Sequence, residues 1–238
     1  MLTSRVHPGE TMASYIIEYI IEYLLSNNPA AKNLRENFVI RIVPMLNVDG
    51  VVIGNYRCNL SGADLNRQWI EPSKKAHPTI YFTKQLIRKT KEERDLGFCC
   101  DIHGHNRKKN IFIYGCSGKD PSKKEQIFPI LMKNNCPVFS FKDSCFMVQK
   151  DREGAARIAL WKEFNIINCF TLELSFCGSD FGKYEYYHFN INIYKDIAHA
   201  FCQSLEEYYD PTQVKYKKAI EELENLSKNP KLDENMKK

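Results

Sequence analysis

At 238 residues the chain is long enough for one large domain, and its make-up of 43% hydrophobic and 26% charged residues is typical of a globular protein. With only 11 glycines and 10 prolines, the collagen-like and disordered classes are excluded. The 34 basic and 29 acidic residues give a formal charge of +5, which is too small to indicate a nucleic acid as partner.

Hydrophobic periodicity predicts the elements of the first half of the chain. Residues 11–26 have apolar side chains every three or four positions and predict a first helix. Residues 38–46 are rich in β-branched side chains and predict a buried strand, followed by a loop over 47–68. A helix is predicted over 78–94, with the basic run Lys84–Lys91 on its surface.

Strands and helices also alternate in the second half, which predicts an α/β fold over residues 1–210. The predicted strands cover 96–102, 110–114, 137–141 and 166–174, and the predicted helices cover 123–133, 155–164 and 191–209. Residues 211–238 are rich in Lys, Glu and Asn and predict a charged, exposed tail that could form an exposed helix over 215–227. A partner-binding helix is the alternative.

Three features bear on the compartment. The longest apolar-looking stretch, 15–25, contains two glutamates and is too short to cross a membrane. The first residues lack the pattern of a secretory signal. The nine cysteines form no CxxC pair and indicate free thiols in a reducing compartment. We therefore expect a cytoplasmic protein without a membrane partner.

Two motifs contain side chains that suit zinc. His7 and Glu10 stand three residues apart across a Pro-Gly turn that can direct both side chains to one point. His103 follows a predicted strand, where α/β proteins place site residues, and would complete the three protein ligands of a catalytic zinc site. His105 could take that role instead. For the His7–Glu10 motif the alternative is a surface turn. For His103 or His105 it is a buried histidine that is hydrogen-bonded to the backbone.

Further polar residues are candidates for substrate binding and catalysis. The guanidinium group of Arg67 matches a carboxylate, and the adjacent Asn66 amide can bond the same anion, with Arg57 nine residues before it. Glu173 interrupts an apolar strand; partial burial would raise its pKa, so that it could take a proton from a zinc-bound water. For each arginine the alternative is a surface salt bridge. For Glu173 it is a carboxylate that faces solvent at the edge of the strand.

Six motifs occur in this order: HPGE, NVDG, GNYRCNLSGADLNRQW, DIHGH, NIFIYGC and FTLELSFCG. Together they closely resemble the zinc carboxypeptidases, and within them the cytosolic carboxypeptidase subfamily, over nearly all of residues 4–210. The resemblance implies a mixed β-sheet flanked by helices on both faces and one Zn²⁺ per chain. It also implies roles: His7, Glu10 and His103 bind zinc, Asp64 orients a ligand histidine, Arg57, Asn66 and Arg67 hold the substrate's terminal carboxylate and scissile carbonyl, and Glu173 is the general base.

The resemblance further implies a metallocarboxypeptidase that removes acidic residues, chiefly glutamates, from the C-termini or branch points of protein tails such as those of tubulin. Alignment with the family places Arg157 at the floor of the pocket for the terminal side chain, where a cation favours Glu or Asp. A positive field toward an acidic tail would be extended by further basic residues, namely Lys150, Arg152 and the run Arg107–Lys109. The alternative is that these residues are ordinary solvated surface.

Members of this family carry further strands and a β-rich domain ahead of HPGE, whereas this sequence starts six residues before His7. We therefore expect an N-terminally truncated sheet that lacks its first strands. Two other functions fit the same residues. One is a zinc amidohydrolase that acts on small N-acyl amino acids, and the other is a non-catalytic fragment that binds acidic tails.

Overall fold

Five strands form a single mixed sheet in the computed structural model, which describes residues 1–118 and 120–228. They are β1 (Leu2–Ser4), β2 (Ile42–Val43), β3 (Phe98–His105), β4 (Ile111–Tyr114) and β5 (Asn168–Ser175). Their order across the sheet is β2-β1-β3-β5-β4. β4 runs antiparallel to β5, and the other neighbouring pairs are parallel. The predicted mixed sheet is confirmed.

Helices cover both faces of this sheet, as predicted. Those in the described residues are α1 (Thr11–Leu25), α2 (Pro29–Asn37), α3 (Val48–Ile53), α4 (Pro78–Glu93), α5 (Ile127–Asn135), α6 (Ala156–Phe164), α7 (Ile191–Tyr209) and α8 (Val214–Lys228). Helices α1, α5 and α7 contribute to the core on one face of the sheet, and α4 and α6 to the core on the other.

Side chains on β3 and β5 alternate between these two cores. Even-numbered residues such as Ile102 and Leu172 are buried with α1, α5 and α7. Odd-numbered residues point the other way, where Cys99 and Cys169 are buried with α4 and α6. Because side chains two apart in a strand share a face, the second face also carries the polar residues Asp101, His103, Thr171 and Glu173.

The candidate site residues lie at one edge of the sheet. β1 is parallel to β3, and β3 to β5, so the three strands end on the same side. β1 leads into the loop that carries His7 and Glu10. His103 and Glu173 lie near the ends of β3 and β5, directly opposite each other in register. The topology therefore brings together residues that are far apart in the sequence.

Three predictions of secondary structure are wrong. Residues 38–46 form a strand only at Ile42–Val43, and Phe38 and Val39 are exposed. In the described sheet β2 is an edge strand paired with β1 alone, so its apolar side chains are not enclosed. Residues 47–68 contain α3 and a 3-10 turn rather than a plain loop. Residues 137–141 contribute only an isolated bridge to the sheet.

Lys84 was predicted on the surface of α4, and this prediction is wrong. Its ammonium group is buried and donates hydrogen bonds to the carbonyl oxygens of Trp69, at 2.8 Å, and Ile70, at 2.6 Å. It also lies 2.6 Å from Oε2 of Glu163 on α6. Two carbonyls and a carboxylate offset the loss of water around the buried charge.

The segment after residue 210 forms α8, and this helix is not fully exposed as predicted. Its residues Ala219 and Leu223 are buried against Ile127 and Ile130 of α5. Residues 229–238 of the predicted tail lie outside the described residues, and the domain boundary at 210 stays a prediction. Among the helices described, none combines the length and the hydrophobicity needed to span a membrane.

Candidate active site

His7, Glu10 and His103 form a buried group of possible metal ligands. One donor atom from each of the three residues lies within 4.8 Å of the others. Nδ1 of His7 is 2.6 Å from Oε1 of Glu10, and Nδ1 of His103 is 3.0 Å from Oε2 of the same carboxylate. The two imidazole nitrogens thus face one carboxylate, with their ring centroids 5.0 Å apart.

The loop that carries His7 and Glu10 is held by side chains outside the motif. Arg5, in a left-handed conformation with φ 55°, donates from Nε to the carbonyl oxygen of Pro8 at 2.8 Å. Asn47 donates from Nδ2 to the carbonyl oxygen of Val6 at 3.1 Å. These bonds fix the backbone on both sides of His7. Sequence reasoning missed both residues, although Asn47 begins the NVDG motif.

Gly9 lies where this loop passes close to the segment after α3. Its N–H donates to the carbonyl oxygen of Tyr56 at 2.8 Å. A Cβ atom at this position would lie 2.6 Å from the Tyr56 ring and 2.8 Å from that oxygen, closer than van der Waals contact allows. Glycine is therefore required for the approach.

A carboxylate also lies behind each ligand histidine. Nε2 of His7 is 3.1 Å from Oδ1 of Asp64, which the resemblance had identified as an orienting carboxylate. Nε2 of His103 is 2.6 Å from Oδ2 of Asp101. Sequence reasoning missed Asp101. The available signal was its spacing of two from His103 on a predicted strand, which puts both side chains on one face.

The charges around the two imidazoles fit a divalent metal ion. Each ring has a carboxylate oxygen within hydrogen-bond distance of both of its nitrogens, and such a negatively charged setting favours a bound cation. Burial lowers the pKa of His103, but the carboxylates of Asp101 and Glu10 outweigh it and raise that pKa well above its ordinary value. Two imidazole nitrogens and one carboxylate are a donor set that suits zinc.

A cavity of about 340 Å³ opens beside this group. Its lining is rich in arginine and includes all the predicted substrate-binding residues. Residues that line it include His7, Glu10, Tyr56, Arg57, Asn66, Arg67, His105, Arg107, Tyr114, Arg152, Arg157 and Glu173. A concave site with a candidate metal group at one side is suited to a small or terminal part of a substrate.

Glu173 faces this cavity from β5. It pairs in register with His103, and burial, as the largest of several effects, raises the pKa of its carboxyl group to about 7. A carboxylate with such a pKa can both accept and return a proton near neutral pH. The direction of the shift is the one predicted from the sequence.

Arg57, Asn66 and Arg67 lie close to one another around Asp64. Arg57 donates from Nε to Oδ2 of Asp64 at 2.9 Å, and Arg67 lies 4.0 Å from the same oxygen. Oδ1 of Asn66 accepts a bond from the N–H of Ala156 at 3.0 Å, which leaves its amide nitrogen directed toward His103. All three residues are part of the cavity lining.

Arg157 lies in the first turn of α6 and is 7% exposed. Its guanidinium group stacks on the ring of Tyr114 at 5.3 Å, and its Nε donates to the carbonyl oxygen of Gly115 at 3.4 Å. Within the described residues no carboxylate oxygen lies within 4.0 Å of it. A buried cation that lines a cavity without an acidic partner favours an anionic ligand.

The remaining predicted site residues are the other basic residues and His105. Arg107 and Arg152 line the cavity, whereas Lys108, Lys109 and Lys150 are not part of its lining. Nδ1 of His105 accepts bonds from the backbone of Arg107 and Lys108, so His105 is not in the metal group.

The chain is similar in sequence to known proteins. The family model described as "Zinc carboxypeptidase" matches residues 1–133. Cytosolic carboxypeptidase 3 of Bos taurus is 44% identical over 98% of this chain and 24% of its own length, and cytosolic carboxypeptidase 2 of Mus musculus is 44% identical over 95% and 26%. The chain thus spans about a quarter of the length of these curated relatives.

A solved structure supports the fold as well. The metallo-carboxypeptidase from Pseudomonas aeruginosa, in complex with (2-guanidinoethylmercapto)succinic acid, superposes with a TM-score of 0.77 and 25% identity. The alignment covers 88% of this chain and 56% of the other. The described sheet and helices therefore correspond to a part of a longer fold.

Proposed function

The chain belongs to the zinc carboxypeptidase family, and from this premise we propose that it forms the catalytic part of a metallocarboxypeptidase that removes acidic residues from protein C-termini. The observation that carries the acidic specificity is Arg157, a buried cation that lines the cavity beside the candidate metal group and has no carboxylate partner among the described residues.

One Zn²⁺ per chain is held by His7, Glu10 and His103 in this proposal. Three protein ligands leave a position open, which is the arrangement of a catalytic site. When bound, zinc supplies Lewis acidity toward the scissile carbonyl and toward the hydrolytic water. Asp64 keeps the ring of His7 in place from the far side.

Glu173 moves the proton in the proposed reaction. Its carboxylate accepts a proton from the water as the water oxygen bonds to the carbonyl carbon. It then gives that proton to the departing nitrogen as the C–N bond breaks, so water is added across the peptide bond and nothing is oxidised or reduced. The position of Glu173 on a central strand, opposite His103, supports this role.

Arg57, Asn66 and Arg67 bind the terminal carboxylate and the scissile carbonyl oxygen. Guanidinium groups match carboxylates with two parallel hydrogen bonds, and both arginines and Asn66 line the cavity. Their shared contact with Asp64 supports a fixed orientation of the arginines.

Arg157 selects the terminal side chain. A Glu or Asp carboxylate would pair with its guanidinium group and would also lie near the N-terminus of α6, where the helix dipole favours an anion. Arg107 and Arg152 extend the positive lining toward an acidic tail.

The substrate tail is proposed to be a glutamate-rich protein terminus or branch, such as that of tubulin, and the site of action the cytoplasm. The relatives' names, cytosolic carboxypeptidases 2 and 3, support the compartment. The arginine-rich cavity supports an acidic tail.

The test is hydrolysis by the zinc-loaded protein of peptides that differ only in a C-terminal Glu, Asp, Lys or Phe. We expect fastest release of Glu or Asp, with Glu173→Gln as the inactive control. Equal rates for all four peptides would overturn the acidic specificity. Cleavage of N-acetylaspartate alone would indicate an amidohydrolase, and binding of a polyglutamate peptide without cleavage a non-catalytic domain.

A further inference from the structure

Asp101 is a buried carboxylate one contact away from the candidate metal group. It is 3% exposed and is not part of the cavity lining. Its Oδ2 lies 2.6 Å from Nε2 of His103, and its Oδ1 accepts a hydrogen bond from Oγ1 of Thr3 at 2.7 Å. Both oxygens are thus engaged, and neither faces the space where a substrate would bind.

The surroundings of Asp101 differ from those of Asp64, the carboxylate behind His7. Asp64 is partly exposed and accepts a bond from Arg57 at 2.9 Å. In the described part of the chain, Asp101 has no lysine or arginine within 4.0 Å, and His103 is its one potentially charged partner. A buried carboxylate without a cation is costly. The His103 ring is therefore the one charged group placed to pair with this carboxylate among the residues described.

The sheet fixes this arrangement. Asp101 and His103 are two residues apart on β3 and share a face, while Thr3 on β1 is the register partner of Asp101. Backbone pairing on a central strand thus sets the spacing between the carboxylate, the imidazole and the hydroxyl group. Only side-chain rotation remains free, and the two bonds to Asp101 restrict it.

We propose that Asp101 is a positioning residue for the metal: it holds the His103 ring with Nδ1 toward Glu10 and balances the charge that the ring gains when Nδ1 binds the ion. Asp101 touches neither metal nor substrate. This inference rests on the proposed metal site. Carboxylates that bond a ligand histidine in this way change metal affinity by about 10–100-fold when removed.

The test is a zinc titration of the full chain against a competing chelator. Asp101→Asn keeps the size of the side chain but removes its charge, and we expect zinc to bind about 10–100-fold more weakly. Glu125→Gln is the matched control, because Glu125 is a second buried carboxylate bonded to a hydroxyl group, that of Ser117 at 2.5 Å, and lies outside the cavity. The zinc affinity of the Glu125→Gln variant should equal that of the wild type.

Unfolding in EDTA separates this role from a merely structural one. A structural role would lower the unfolding midpoint of the metal-free Asp101→Asn protein and leave the zinc affinity of the folded protein unchanged, and that result would overturn the inference. If Asp101→Asn does not fold, the variant Thr3→Ala provides the test. It removes the hydrogen bond to Oδ1 of Asp101 and should weaken zinc binding several-fold. An unchanged zinc affinity in Thr3→Ala would overturn the inference. A wild-type protein that binds no zinc would overturn the metal site as well, which distinguishes the two failures.

Discussion

His103 and Glu173 are direct register partners on the neighbouring parallel strands β3 and β5. A proposed metal ligand and the proposed general base thus stand side by side on two central strands rather than on loops. Backbone pairing fixes their separation, which is the preorganisation that a hydrolytic site requires.

Replacing Glu173 with Gln should separate catalysis from metal binding. Gln has nearly the same shape but cannot accept the proton, so we expect kcat to fall by a factor of about 10² to 10⁴. Zinc content should not change, because Glu173 is not in the metal group. The measurements are steady-state hydrolysis of a Glu-terminated peptide and zinc analysis of the same preparation. Full activity in this variant would exclude Glu173 as the base.

Replacing Arg157 with Met should change the preferred terminal residue. Loss of a charged hydrogen bond worth about 1.5–3 kcal/mol predicts a roughly 10- to 100-fold drop in kcat/KM for terminal Glu. The rate for terminal Leu should rise or stay the same. Arg152→Met is the matched control: this side chain is 47% exposed at the cavity and should have a much smaller effect. An equal loss in both variants would point to a general field rather than a specific contact.

Replacing Gly9 with Ala should displace the loop that carries His7 and Glu10. The new Cβ would lie 2.6 Å from the ring of Tyr56 and 2.8 Å from its backbone oxygen. Overpacking of this kind costs about 1–3 kcal/mol and moves the backbone, so both unfolding free energy and zinc affinity should fall. Gly118→Ala is the control, because among the described residues the nearest contact of its Cβ would be Trp161 at 3.8 Å. Unchanged zinc affinity in Gly9→Ala would show that the close approach does not matter for the site.

The contact between Lys84 and Glu163 should make stability depend on pH. Burial raises the pKa of Glu163, but the hydrogen bonds from Lys84 and Arg88 outweigh it and hold the pKa below its ordinary value. A lowered pKa in the folded state adds stability above the ordinary carboxyl pKa and loses it as the pH falls through the folded-state value.

Glu163→Gln should therefore be less stable than the wild type by about 1 kcal/mol at pH 7. The two proteins should converge well below pH 4. Urea unfolding at several pH values measures the difference. A difference that is constant with pH would show that the charge of Glu163 is not involved.

The sequence was informative where a residue's role depends on near neighbours. The bounds predicted for the last helix of the folded domain, 191–209, match α7, which has a strong amphipathic pattern and an Asn190 side chain that accepts bonds from its first turn. The ligand candidates came from short motifs with chemistry that suits zinc.

The sequence was uninformative where contacts join segments that are distant along the chain. Asp101 is explained by Thr3 and His103 together, and the Thr3 contact spans 98 positions. Lys84 is buried because its partners lie on a preceding loop and on α6. Residues 38–46 have the composition of a core strand, but tertiary structure places most of them outside the sheet. Periodicity within one segment cannot predict such contacts.

Zinc content measured by equilibrium dialysis is the most direct test of the central claim. The wild-type chain should bind about one zinc ion. His7→Ala and His103→Ala should each reduce binding to background, and His105→Ala should leave it unchanged because His105 is outside the metal group. A wild-type protein without bound zinc, or a His103→Ala variant that still binds one ion, would contradict the account.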